Sequence, residues 1–376
     1  MSRRGNNEGS IYRRKDGRWA STINLGWQDG KLRRKTFYGR TRQEVQRKLT
    51  DALHTLHQGW PIITERQTVG NFIERWLEDS VKPSVRPKTY VSYSQIARLY
   101  LLPYLGRISL EKLTPQQLQS FLNKRVADGL SPRTVQYTHA VLRRALGQAM
   151  KWGLISRNVA LLVDLPKMSN HEVEPLTLEQ VKVFLKEISS DRLEALYLVA
   201  TGVGLRKGEL LGLRWEDVDL NAGRLRVRVA LQRIEGTLQL VELKTRRSRR
   251  SVALPQLAVR SLRFHQVHQM EERVAAGDIW HESGLVFTTA IGTPLEPRNV
   301  TRHFHNALEK AGLPRQRFYD LRHTCASLLL AQGIQPRVLM EILGHSQISL
   351  TMNTYAHVMP QLERDAADKM NAALTP

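Results

Sequence analysis

Five stretches in the second half of the chain concentrate side chains that could work on a phosphate. Arg206 follows two glycines in Thr201-Gly202-Val203-Gly204-Leu205-Arg206, with Glu209 three residues on at the start of an apolar run. Lys244 lies in Leu243-Lys244-Thr245-Arg246-Arg247, and Arg322 in Tyr319-Asp320-Leu321-Arg322-His323-Thr324. His345 ends Leu343-Gly344-His345, and Tyr355 stands in Thr354-Tyr355-Ala356-His357-Val358. Breaking a phosphodiester without a metal demands such a set. The anion repels nucleophiles, and charge builds on its nonbridging oxygens in the transition state. A planar guanidinium can grip two of those oxygens at once. The leaving oxygen needs a proton donor. A tyrosine phenol, with a reference pKa of about 10, forms a bond that can be reversed more easily than one to an aliphatic alcohol. Each residue alone has an ordinary reading: a surface arginine, a helix-capping histidine, a half-buried tyrosine. Their conjunction and order carry the inference.

These residues need a scaffold, and the pattern supplies one. Thr177 and Gln180 form a capping box that opens a helix, and helices dominate from there onward. The exception is a strand region from Arg224 to Leu254, with turns at Gly236 and in the Lys244–Arg250 segment. Upstream, 66–165 reads as helical throughout. Val69, Phe72, Ile73, Trp76 and Leu77 follow helical spacing, and Ser131-Pro132 is an N-cap and first-turn pair. The polar, proline-bounded stretch 166–175 reads as a linker. Near the start, Ser10–Arg14 and the alternating Trp19, Ser21, Ile23, Leu25 and Trp27 read as strands. Asp29-Gly30 marks a hairpin, a third strand follows, and Thr41 with Glu44 opens a helix to about Leu56. The fold class expected is multi-domain α+β, mainly α with small β elements.

The charge balance points to a polyanion. Lys and Arg total 57 against 35 Asp and Glu in 376 residues, a formal net charge of +22. Nucleic acid is the partner such an excess fits, because neutralising phosphates releases condensed counterions. A membrane surface would want a basic amphipathic anchor or a long apolar run, and neither is found. The first residues lack the apolar stretch of a signal peptide, so a cytoplasmic protein of a bacterial cell is expected. Cys325 is the single cysteine, which rules out an internal disulfide or a Cys-rich zinc site. His265 with His268 and His303 with His305 invite a metal reading, but no His-Glu-x-x-His or carboxylate cluster joins them; no metal site is expected. In the N-terminal unit, Arg13, Arg14, Lys31, Arg33, Arg34 and Lys35 crowd the strands, and a β-ribbon laid in a DNA groove is the better reading of that density.

The ordered set Gly204-Leu205-Arg206, Glu209-Leu210, Lys244, Leu321-Arg322-His323, Leu343-Gly344-His345 and Tyr355 closely resembles the tyrosine recombinase (lambda integrase) family. The resemblance covers the whole chain. It implies an arm-type DNA-binding domain over 1–62, a helical core-binding domain over 63–165 and, after the 166–175 linker, a catalytic domain over 176–376 with a helical tail. It also implies roles. Arg206 and Arg322 would clamp the scissile phosphate, Lys244 would protonate the leaving 5′ oxygen, and His345 would donate to the phosphate. Tyr355 would form a 3′-phosphotyrosyl bond, so that neither ATP nor any other cofactor is required. Glu209 would hold catalytic side chains in place. The family most often has a histidine where this chain has Tyr319; a phenol can hydrogen-bond there but is a poor base at neutral pH. His323, next to Arg322, would face another side of the helix, since neighbours diverge by about 100°. Family implications extend to a homotetramer on double-stranded DNA, to an excision factor or DNA-bending protein as accessory, and to integration of a phage or mobile element. Leu362, Ala366, Met370 and Ala373, at helical spacing, would form a helix either exchanged with a neighbour, as in relatives, or packed on its own domain. Rival readings are a metal-dependent nuclease, a catalytically silent DNA-binding regulator of the same fold, and a type IB topoisomerase.

Overall fold

The structure is a computed structural model that describes residues 9–28, 31–57, 67–168, 174–243, 248–344, 367–368 and 370–375. It divides into two compact units, Met1–Ser169 and Asn170–Pro376. Lys244, His345 and Tyr355 lie outside the described residues, as do Leu362 and Ala366 of the expected tail helix. Among the described residues no helix is long and apolar enough to cross a membrane.

The first unit begins with a three-stranded antiparallel sheet of β1 (Ser10–Arg13), β2 (Trp19–Gln28) and β3 (Lys31–Gly39) in sequential order. Helix α1 (Arg42–His57) crosses one face, and Ile23, Leu49 and Ala52 are buried between them with Ile11, Leu25 and Phe37 alongside. Thr41 caps α1 by accepting from the Glu44 backbone N–H, as the sequence predicts. The Glu44 carboxylate, however, reaches back to the N–H of Arg40 rather than that of Thr41.

A second core in this unit gathers five helices: α2 (Val69–Trp76), α3 (Pro87–Ile96), α4 (Leu102–Leu105), α5 (Pro115–Ala127) and α6 (Pro132–Lys151). Thr68, Thr114 and Ser131 cap α2, α5 and α6 through their hydroxyls. Trp76, Phe72, Leu101 and Leu118 are fully buried at the centre. Between α2 and α4 the chain widens twice into a single wide turn, at Leu77–Val81 and at Ala97–Leu101.

The second unit packs helices around two small sheets. Helix α7 (Leu178–Glu187) starts at the Thr177–Gln180 capping box, both halves of which are formed. Then come α8 (Glu194–Val203) and the short α9 (Lys207–Leu211). Strands β4 (Val218–Asp219), β5 (Arg224–Val227) and β8 (Arg250–Ala253) form one sheet in the order β4-β5-β8. Strands β6 (Val229–Ile234) and β7 (Thr237–Glu242) form a separate hairpin that turns at Gly236. The strand region thus splits at Arg228 into two sheets, a break the alternating pattern conceals. Helices α10 (Gln256–Ala276), α11 (Pro297–Lys310), α12 (Asp320–Ala331) and α13 (Pro336–Leu343) complete the unit. Phe184, Tyr197, Phe287 and Phe304 anchor its main core, while α12 and α13 share a small satellite cluster of Ala326, Leu330, Leu339 and Leu343.

Candidate active site

Helices α8 and α13 each end on a glycine in the left-handed region, Gly204 at φ +66 and Gly344 at φ +68. A side chain at either position would be strained, and the space is closed as well. A Cβ on Gly204 would meet Leu343 Cδ2 at 2.8 Å, and one on Gly344 would meet Arg250 at 3.1 Å. The last carbonyls of a helix lack intrahelical partners and carry the negative end of its dipole. Cations are drawn to such an end, and three arginines meet there.

Arg322, on the first turn of α12, is 2% exposed. Its Nη1 donates to the carbonyl of Gly204 at 2.7 Å and its Nη2 to that of Leu343 at 2.6 Å. Its Nε is buried with no hydrogen-bond partner among the described residues. Burial and the neighbouring Arg206 charge push its pKa down to about 10. Among the described residues, then, this cation is held by backbone carbonyls with one donor to spare, and an anion would relieve it.

Arg206 stands immediately before α9. Its Nη1 donates to Glu209 at 2.7 Å and its Nη2 to the carbonyl of Gly344 at 3.3 Å, while its backbone N–H donates to the other Glu209 oxygen at 3.1 Å. Its side chain stays 37% exposed, whereas that of Glu209 is 2% exposed. Burial pushes the Glu209 carboxyl up, but the charges and hydrogen bonds of Arg250 and Arg206 outweigh this and hold it below its ordinary value.

Arg250 is the neighbour of Arg206 and Glu209 that sequence reasoning missed. It opens β8 and donates Nη2 to Glu209 at 2.9 Å and Nε to the Ile342 carbonyl at 2.7 Å, with a side chain 6% exposed. In sequence it is the last of a Lys/Arg run that reads as turn, so charge density hid it. A burial signal was nonetheless present, because Arg250-Ser251-Val252 begins an alternating strand.

Tyr319 is half exposed just before α12, and its ring meets His323 edge-on at 5.1 Å. His323 therefore lies on the Tyr319 side of the helix, diverging from the buried Arg322. His265 is buried, with Nε2 on the Val286 carbonyl, and His303 bridges Tyr197 and Asp191.

The N-terminal cations separate by face. Ile23, which faces α1, pairs across the strands with Lys35, and Lys35 packs over Phe37. Arg34 pairs with Asn24 on the opposite face, beside the bonded Thr22–Thr36 pair. Tyr12 and Tyr38, both half exposed, flank the buried Ala20 on that same face, and Arg14 lies over the Tyr38 ring at 5.0 Å. Arg13, by strand parity, falls on the α1 side with Ile11, and its Nε donates to the Gly17 carbonyl. Only Arg14 and Arg34 of the six predicted contacts are placed on the open face; the side chains of Lys31 and Arg33 lie outside the described residues.

The family described as the phage integrase family matches residues 174–361, and the phage integrase N-terminal SAM-like domain matches 68–125. A tyrosine recombinase XerC-like protein of Caldanaerobacter subterraneus is 31% identical, covering 93% of this chain and 95% of that relative. Among solved structures, the Tn1549 transposon integrase in complex with a circular intermediate DNA is similar with a TM-score of 0.68 at 22% identity, covering 79% of this chain and 99% of that one. A lambda integrase tetramer bound to a Holliday junction is similar over 94% of this chain and 96% of its own, with a TM-score of 0.58 at 18% identity. The fold agrees with the expected mainly α, multi-domain α+β class. Matched by the family over half its length and aligned almost end to end with a tyrosine recombinase, the chain belongs to the phage integrase family and is a site-specific DNA recombinase.

Proposed function

We propose that this recombinase cuts and rejoins DNA through a 3′-phosphotyrosyl bond on Tyr355, with Arg206 and Arg322 gripping the scissile phosphate. The observation that carries this reading is the convergence of both guanidinium groups on the two carbonyls directly before His345. Residues far apart in sequence meet there, and the spare Arg322 donor is what an incoming phosphate oxygen would take. In this scheme the Tyr355 oxygen attacks phosphorus as its phenolic proton passes to solvent, and the 5′ oxygen leaves with a proton from Lys244. His345 donates to a nonbridging oxygen, and each phosphate donor contributes roughly 10²–10³ in rate by analogy with oxyanion holes. Tyr319 and His323 line the mouth of the site as hydrogen-bonding groups. The arginine-lined cleft beside β5 and β8, with Arg226, Arg228 and Arg249, would lead flanking phosphates toward it.

The chain would act as three DNA-handling domains divided near residues 62 and 166–175. The open sheet face of the first would read accessory arm sites, as a homotetramer in the cytoplasm integrates or excises a phage or mobile element. An excision factor or DNA-bending protein would set direction. The test is a nicked suicide DNA carrying the element's own crossover site, mapped by sequencing the junctions of an integrated copy. Wild-type protein should form an SDS-resistant covalent adduct in EDTA, and Tyr355→Phe should form none while still shifting the DNA. An adduct that persists in Tyr355→Phe, or one that needs metal, would sink the proposal.

A further inference from the structure

We infer that Arg250 is a positioning residue for strand cleavage, which aims Arg206 through Glu209 and at the same time pins the end of α13 that leads into His345. This rests on the reading of Arg206 as a phosphate clamp.

The geometry is that of a bridge. One guanidinium joins three backbone or side-chain acceptors on separate segments: Glu209 on α9 at 2.9 Å, the Ile342 carbonyl on α13 at 2.7 Å, and the Ser248 carbonyl at 3.1 Å. Its side chain is 6% exposed and lies flush against Gly344, where a Cβ would come within 3.1 Å of Nη1 and 3.2 Å of Cδ. Glu209, in turn, takes both the side chain and the backbone N–H of Arg206. All three guanidinium nitrogens of Arg250 are engaged by these acceptors, so its contribution passes through its neighbours. A lysine could keep the charge but not the fork, since an ammonium is a point charge without a planar pair of donors.

The Glu209 carboxylate is faced by Arg206 from its own turn, by Arg250 from β8, and by the charge of Arg322 from α12. Removing Arg250 strips the largest influence holding that carboxyl ionised against burial. An opposite charge at this range lowers a carboxyl pKa by about 1–3 units. Arg250→Gln should therefore move the acid limb of single-turnover cleavage upward by about one pH unit or more, because protonated Glu209 releases Arg206. Arg250→Lys should keep the wild-type acid limb but cleave roughly tenfold more slowly at its plateau, as a small misplacement of a catalytic group costs one to two orders of magnitude. DNA affinity and far-UV circular dichroism should match wild type in both variants.

Arg206→Ala is the control that separates the two readings. If it cleaves at the wild-type rate, the clamp assignment fails. If it is inactive and Arg250→Gln retains the wild-type acid limb, the positioning role of Arg250 is wrong. That role is equally wrong if both Arg250 variants lose activity only in proportion to their loss of folded protein, with affinity falling in parallel.

Discussion

Replacing Glu209 by glutamine tests the site through its most buried acid. The substitution keeps shape and removes one charge beneath three cations. The carboxylate accepts from the Arg206 backbone at 3.1 Å, Arg206 Nη1 at 2.7 Å and Arg250 Nη2 at 2.9 Å. Hydrogen bonds to charged groups contribute about 1.5–3 kcal/mol and neutral ones about 0.5–1.5, and an amide also turns one acceptor into a donor facing a donor. Breaking a buried pair by removing one partner costs about 3–5 kcal/mol. Because the Arg206 side chain is 37% exposed, its share is screened, which places Glu209→Gln near the lower end, about 3 kcal/mol. The pH dependence has a definite sign. Glu209 has its pKa lowered in the folded chain, so its stabilisation is complete above the unfolded carboxyl value and is lost as pH falls through the folded one. Urea unfolding of the full chain at pH 7, 5 and 3 should show the gap between wild type and variant narrow toward acid. Cleavage should fall by about 10², the loss expected when a clamp moves by about 1 Å. A gap under about 1 kcal/mol at pH 7 with an unchanged m value, or a gap of the same size at all three pH values, would refute the reasoning.

Two further perturbations probe the scaffold and the sheet. Gly204→Ala places a Cβ at positive φ and 2.8 Å from Leu343, and should cost about 2–4 kcal/mol from left-handed strain and overpacking together, visible as a melting point lower by about 5–15 °C. On the open sheet face, Arg34→Ala should weaken arm-site binding and reduce the salt slope of log affinity by about 1, whereas Lys35→Ala, on the α1 face, should leave that slope unchanged.

Local chemistry made most of the scaffold readable. Thr41, Ser131 and Thr177 sit where hydroxyl caps must sit, and alternation located β1 to β3 within a residue or two. The break at Arg228 was not readable, because alternation continues across it and only sheet pairing separates β5 from β6. At the site, arginine identity and glycine spacing singled out Arg206 and Arg322. Arg250 escaped because its burial depends on long-range partners, Glu209 and Ile342, which sequence proximity cannot reveal. The N-terminal cations show the same limit. Counting charge singled out this sheet as a whole, but only strand register assigns Arg34 to the open face and Lys35 to the helix side.

The carbonyl end of α13 explains how so much positive charge can be gathered before any phosphate arrives. Ile342, Leu343 and Gly344 offer three successive carbonyls to Arg250, Arg322 and Arg206. Each bond offsets part of the cost of burying a guanidinium, yet none cancels its charge, since Glu209 is the one carboxylate bonded to these three arginines among the described residues. The longest of the contacts, 3.3 Å from Arg206 to Gly344, is also made by the most exposed of the three side chains. A phosphate oxygen would compete for that donor at the least expense, while the 2.6 Å bond from Arg322 to Leu343 keeps the frame in place. In the proposed scheme the labour would divide by burial: Arg250 holds the helix end, Arg322 holds it through Nη2 while its Nε is left for the phosphate, and Arg206 would exchange its carbonyl for substrate.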